Sequence, residues 1–447
     1  MRRSGAFAGL STLVLVLPLF GHTVAAIVAG AVLALAFLVT DGPAFDLFAF
    51  PLDYEDGRLY GVVSFVLAAI ALGVVEVTTS MTMPIVVGAI LLIGYGNLAE
   101  QFVRTKRDDG VYRVGAFVIV GSLAGTLGQA LSITLADVAV TVDANVAVGA
   151  LEGLPVLVFL ATSGALLAAL LRDVLIRYDD PVVMLFVGVL LWLLAELDPA
   201  VGGLEVVIAI AVTVVFGYAS FVLGAASVAG MLTGILLGLL TIVLGGYGWF
   251  VVLLAFFGLG SLSTKFRYEE KAARGIAEDN EGARGSANVL SNAAVALGAV
   301  LGYAASASTL VAVEPELFLF AFTGAVATAL SDTLSSEIGG VFDEPRLITT
   351  LETVEPGTDG GITWQGELAG IVGAAVVASL SFVLFDVVGS AEAIVVLAAG
   401  FVGMTVDSLL GATLEGGLLG NQGVNFLATL AGALFCALAV ASVAAVG

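Results

Sequence analysis

The chain has a single cysteine, a single histidine and few basic residues, and each shortage excludes a class of chemistry. One cysteine, Cys436, can neither close an internal disulfide nor assemble a thiolate metal cluster. One histidine, His22, at the start of an apolar run, rules out histidine-based triads and histidine-rich metal sites and reads as interfacial. No Gly-x-x-x-x-Gly-Lys-Ser/Thr string occurs, so a P-loop nucleotide site is absent. Lys and Arg number 15 against 37 Asp and Glu, a formal charge of −22, which leaves no basic face for nucleic acid. Any chemistry must run on carboxylates, Arg and Lys, hydroxyls, amides and backbone.

Apolar side chains are what the chain has in abundance. It is 60% hydrophobic and 12% charged, with a mean hydropathy of +1.12. Runs of about twenty apolar residues recur along its length, without the polar/apolar alternation of barrel strands. The fold class this predicts is all-α, a polytopic transmembrane helical bundle of about 13–15 spans. The fullest reading places them at 5–20, 22–39, 59–77, 81–99, 113–135, 151–171, 181–197, 204–223, 224–244, 247–262, 286–309, 316–338, 367–388, 391–412 and 424–446. The first run follows Arg2-Arg3 like a signal peptide, but with so many spans behind it the reading is an uncleaved first helix.

The acids gather in short loops: Asp53 to Asp56, Asp179-Asp180, Glu278 to Glu281 and Asp343-Glu344. With only three Lys among the basic residues, this reads as a salt-adapted, halophile-like surface; attraction of a substrate or metal is the other reading. Lys and Arg concentrate at 2–3, 104–113, 172–177 and 265–284, whereas the alternate loops 136–150, 198–203 and 310–315 carry acids only. The positive-inside rule makes the basic loops cytoplasmic, in the cell membrane with the N-terminus inside. Counting spans onward puts loops 339–366 and 413–423 on that same face.

A faint internal repeat is visible. Gly94-Tyr-Gly-Asn-Leu-Ala-Glu-Gln-Phe102 resembles Gly258-Leu-Gly-Ser-Leu-Ser-Thr-Lys-Phe266, and Ser163 to Leu170 resembles Thr323 to Leu330. If this is a duplication, the second copy kept polar residues that the first lost. Residues 1–200 are then a scaffold half and 201–447 the functional half, with the boundary near Pro199 to Gly202.

Three polar patches stand out in that second half, and the working site is expected where they meet. Charge at membrane depth is costly, about 2.5–3.5 kcal/mol at a helix centre, so it is kept mainly where it acts. In the first patch, which also holds Lys265, a helix starting near 284 puts Arg284, Asn288 and Asn292 on one face, a candidate phosphate or sugar site. In the second, Asp332 and Glu337 lie five residues apart, about 140° around a helix, and converge only if the helix ends near Gly339-Gly340. Carboxylates beside Ser335 and Ser336, with Arg346 nearby, suit Mg²⁺ held between protein and polyphosphate. The turn Gly357-Thr358-Asp359-Gly360-Gly361 can offer backbone N–H groups to an anion. In the third, Asp407, Gly411 and Glu415 repeat at i, i+4, i+8, with Asn421, Gln422 and Asn425 following. All these groups lie toward one membrane surface, which favours chemistry on an amphiphile with its head at the interface.

These strings, in order and spacing, resemble one integral-membrane family. They are Ser-Thr-Lys-Phe (263–266), Arg284-Gly285 with Val289 to Asn292, Asp332 to Gly339, Pro345 to Thr350, Pro356 to Gly361 and Asp407 to Thr413. The family, long of unknown function (DUF ninety-two, transmembrane protein nineteen type), has the chloroplast phytyl-phosphate kinase of tocopherol biosynthesis among its plant members. The resemblance covers about residues 205–447. It implies phosphoryl transfer from a nucleoside triphosphate, CTP or another, to a phytyl or geranylgeranyl phosphate, giving the diphosphate. It also implies Asp332, Asp407 and Glu337 as catalytic Mg²⁺ ligands, Glu337 alternatively as a base, and Lys265, Arg284 and Arg346 on phosphate. Asn288, Asn292, Thr349, Gly357, Thr358, Gly360, Gly361, Ser408 and Asn425 complete the expected substrate and nucleotide site. Where the family usually has Gln this chain has Glu415, and Ala293 stands where a glycine tends to follow the asparagine. A CTP-dependent lipid cytidylyltransferase and a membrane transporter are the competing readings.

Overall fold

A computed structural model of the chain describes residues 1–107, 109–140, 153–174, 180–277 and 285–446. Among these, helices make up every element except one pair of two-residue strands. The chain divides into two compact units, Met1–Ile208 and Ala209–Gly447.

In the first unit α1 (Arg2–Thr12) runs through a 3-10 turn into α2 (Val16–Leu38). Two short helices, α3 (Gly42–Phe48) and α4 (Asp53–Asp56), precede α5 (Tyr60–Thr78), α6 (Met83–Arg104), α7 (Gly110–Val140), α8 (Leu154–Val174) and α9 (Asp180–Glu196). The next helix, α10 (Gly203–Val222), begins before the division and ends after it. The second unit continues with α11 (Val228–Gly245), α12 (Tyr247–Thr264), α13 (Tyr268–Ala273), α14 (Ser286–Ala307) and α15 (Pro315–Gly339). Then come β1 (Arg346–Leu347), β2 (Gly361–Ile362), α16 (Trp364–Leu384), α17 (Ser390–Leu414) and α18 (Asn421–Val446).

Thirteen helical segments among the described residues are long and apolar enough to cross a membrane. The fifteen expected runs differ in two places. Runs 5–20 and 22–39 join into one stretch, Arg2–Leu38, broken at Gly21, whose φ of +79° suits a residue without Cβ. Run 181–197 is the 17-residue helix α9, at the short end of the lengths that cross a bilayer and not among the thirteen. Its Val183, Val187, Leu191 and Leu194 are buried along one stripe, while Val182, Phe186, Val189 and Leu193 on the other side are exposed.

Not all the acidity lies on the surface. Asp53, expected in a solvated loop, is 2% exposed and accepts the backbone N–H groups of Phe50 at 2.8 Å and Tyr60 at 3.1 Å. Satisfying two buried donors is what keeps a charge there. His22 is half-exposed and pairs with Glu76 at 2.7 Å, as an interfacial residue can.

In the second unit α15 packs against α14, α16, α17 and α18. Its Thr328 sits between Gly403 of α17 and Gly432 of α18, and a Cβ on either glycine would overlap the threonine side chain. Thr328 Oγ1 donates within its own helix to the Gly324 carbonyl, 2.9 Å, and lies 3.3 Å from that of Ala399. Small residues are what allow such close packing in a bilayer, where apolar burial alone gives no driving force. Local starts are set by familiar residues: Pro315 opens α15, and the Thr363 hydroxyl caps α16 by accepting from Gly366 N at 3.1 Å.

Candidate functional site

A polar cavity of about 410 Å³ opens in the second unit, between the C-terminal ends of α15 and α17 and the N-terminal ends of α14 and α18. The loop carrying β1 and β2 closes it. All three polar patches contribute to its lining: Asn288 and Asn292, Asp332 and Glu337, and Asp407 with Ser408. Gly357, Thr358, Gly360, Gly361 and Asn425 line it too. Eleven residues foreseen from sequence thus share one wall-to-wall space.

The carboxyl groups of Asp332 and Asp407 meet across it. Two carboxylates at that range need a proton or a cation between them. Asp407 Oδ2 is buried and finds no hydrogen-bond partner among the described residues. An orphaned buried oxygen of this kind asks for an explanation, and an absent ion is one. Glu415, the C-terminal cap of α17, and Asp359 add two more carboxylates to the lining. Burial, then the negative charge of Asp359, hold the Glu415 carboxyl above its ordinary value.

Glu337 takes a different direction. Helix α15 stays regular to Gly339, so the angular separation from Asp332 persists, and Glu337 pairs with Lys271 of α13. Lys271 is 2% exposed and also donates to the carbonyls of Thr264, 2.7 Å, and Ser263, 3.2 Å, at the C-terminus of α12. The ammonium therefore neutralises a carboxylate and closes a helix end at once. Lys271 was visible in the sequence only as one more charge in a basic loop.

The asparagines come from two helix starts. Asn288 and Asn292 stand one turn apart on α14, and Asn421 and Asn425 one turn apart on α18. Asn292 Nδ2 donates to the Asn288 carbonyl, 3.0 Å, which fixes the orientation of its amide. The glycine turn is held against α17: a Cβ on Gly360 would lie 2.5 Å from the Ser408 carbonyl oxygen, and its φ is +73°.

Three expected residues do not line the cavity. Lys265 is exposed and donates to the Leu223 carbonyl at 2.6 Å. Arg346 donates to the Leu351 carbonyl at 3.0 Å and lines a neighbouring groove, and Thr349 is exposed on the loop. Arg284 lies outside the described residues.

Comparison with known proteins puts the likeness in this same unit. The family model described as "Integral membrane protein DUF92" matches residues 211–433. The "Uncharacterized membrane protein MJ0933" of Methanocaldococcus jannaschii is 35% identical over 212 residues, 46% of this chain and 82% of that protein. "Protein VTE6, chloroplastic" of Arabidopsis thaliana is 32% identical over 190 residues, 42% of this chain and 56% of that one. A Synechocystis protein, "Uncharacterized membrane protein sll0875", is 34% identical over 199 residues, 43% and 74% of the two chains. No solved structure matches.

Proposed function

The chain belongs to the DUF92 family of integral membrane proteins, and from that premise we propose that it is an isoprenoid-phosphate kinase. An oxygen of a phytyl or geranylgeranyl monophosphate attacks the terminal phosphorus of a nucleoside triphosphate, CTP by preference. The bond from that phosphorus to its bridging oxygen breaks, a nucleoside diphosphate leaves, and the isoprenoid diphosphate remains. The observation that carries this reading is the meeting of Asp332 and Asp407 in a cavity also lined by amides and a glycine turn. Phosphoryl transfer asks mainly for positioning and charge neutralisation, which such a cavity supplies without histidine.

The donor set also fits a hard divalent cation. It is oxygen-only, and one buried carboxylate oxygen, Asp407 Oδ2, has no partner. No three His, Cys, Asp or Glu residues among the described ones are placed to hold a metal. Asp332 and Asp407 would therefore share Mg²⁺ with phosphate oxygens and water, the arrangement this ion commonly takes. Bound there, Mg²⁺ neutralises phosphate charge. The glycine turn offers backbone N–H groups to the phosphates, the four asparagines face the nucleoside, and Glu337, tied to Lys271, braces the wall. By the positive-inside rule the cavity faces the cytoplasm of the cell membrane, where nucleotide is at hand.

The test uses purified protein in detergent, at high salt with Mg²⁺, given γ-labelled CTP and geranylgeranyl monophosphate. Label should enter a lipid diphosphate and fail to do so with Asp332→Asn. Label released as pyrophosphate would point instead to a cytidylyltransferase. No transfer to any isoprenoid phosphate, from any nucleoside triphosphate, would end the kinase reading.

A further inference from the structure

Beside the polar cavity lies a second hollow, a groove of about 510 Å³ on the outward side of α16. Ile362 and Thr363 line both spaces, so the two share a wall only a strand thick. From that wall the groove runs along α16 past Trp364, Leu368 and Ile371, with Leu351 opposite. Trp364 is 72% exposed and Leu368 54% exposed on a helix apolar enough to span the membrane, so this side faces hydrocarbon. A tryptophan at the start of a span, with leucine and isoleucine one and two turns deeper, is the pattern of a membrane interface leading into the bilayer.

The charges in the groove say which part of a molecule it takes. Arg346 and Glu367 bring one charge of each sign to it, and the Arg346 guanidinium is engaged by the Leu351 carbonyl at 3.0 Å, so no cluster of cations awaits an anionic head there. The donor groups suited to such a head lie past Thr363, in the cavity. We propose that the groove holds the hydrocarbon tail of the phosphorylated substrate, entering sideways from the bilayer while the head crosses at Ile362 and Thr363. Leu368 and Ile371 then set the length of chain accepted. This rests on the cavity being the phosphate site.

The first experiment is independent of turnover. An alkyl monophosphate with a photoreactive diazirine in its tail is irradiated with the full-length protein in nanodiscs. Label should concentrate on residues 362–371, fall when unlabelled alkyl monophosphate competes, and be weak with the matching alcohol. Even labelling of all lipid-facing helices, or equal labelling by the alcohol, would overturn the proposal. The second experiment compares geranylgeranyl-length and dimethylallyl-length monophosphates with Leu368→Trp and Ile371→Trp. These positions face outward, and retained thermal stability and nucleotide binding check the fold. We expect kcat/KM for the long chain to fall about tenfold or more while the short chain changes less than about twofold. Equal loss for both chains would sink the groove assignment and leave the kinase reading standing. Correct labelling without turnover of any isoprenoid phosphate would do the reverse.

Discussion

Lys271 and Glu337 form an ion pair screened from solvent, joining a six-residue helix to the C-terminal end of α15. Breaking such a pair costs more than the pair itself contributes, because the remaining charge is stranded. Lys271→Met should therefore destabilise the folded protein by about 3–5 kcal/mol. The double variant Lys271→Met/Glu337→Gln should recover much of that loss. Thermal unfolding of the four proteins in detergent, read as a double-mutant cycle, measures it; independent, additive losses would contradict the pairing.

A second expectation concerns Asp407. Asp407→Asn ends the crowding of two buried carboxyl groups at Asp332 and Asp407, so the unliganded protein should unfold at the same temperature or higher. Phosphoryl transfer should drop by about 10²–10³-fold or more. Tm and turnover measured on one preparation would show the two moving in opposite directions; a variant that loses both has simply misfolded.

Lys265 and Lys271 give a sharp contrast. Lys265→Ala sits outside the cavity on an exposed side chain, so its effect on stability should stay within about 0.5 kcal/mol and turnover should be near normal. A severe loss of turnover would return Lys265 to the site.

Packing around Thr328 makes a fourth prediction. Gly403→Ala or Gly432→Ala forces a methyl group into the threonine and should cost about 1–3 kcal/mol. Adding Thr328→Ala should restore most of it. If the glycine variants alone leave Tm unchanged, the close packing is not what the stability rests on.

The pH dependence follows from Glu415. Its carboxyl is held above the ordinary value, so over the interval between the two values the folded chain keeps a proton that the unfolded chain has lost. Stability must then fall as pH rises through that interval. Glu415→Gln should flatten the decline. Unfolding midpoints in a pH series, wild type against variant, give the comparison.

These residues also indicate what sequence could and could not reveal. Asp332 and Asp407 were conspicuous because a carboxylate in an apolar run has few structural reasons to be there. The angle between Asp332 and Glu337 was equally readable, and the structure keeps it: one meets Asp407, the other Lys271. Lys271 was missed and Lys265 chosen because both are lysines in one basic loop; only the docking of α13 buries one and leaves the other outside. Arg346 went astray for a local reason. Side chains alternate across an extended segment, so Pro345 turns to the cavity and Arg346 to the groove. The boundary read between 5–20 and 22–39 falls on Gly21, where two helical stretches meet at a kink with no loop between them.

Among the described residues, every one that lines the polar cavity follows Ile208 in the chain. No single substitution at a described position of the first unit can delete a lining group, whatever it does to that unit's own fold. Close packing does not divide the same way: a methyl at Gly61, Gly94 or Gly188 of the first unit meets Phe50, Ser11 or Leu72, as one at Gly360, Gly403 or Gly432 of the second meets backbone or side chain. Sequence turnover should therefore be slow at these glycines in both units, and slow at polar lining positions only after the division.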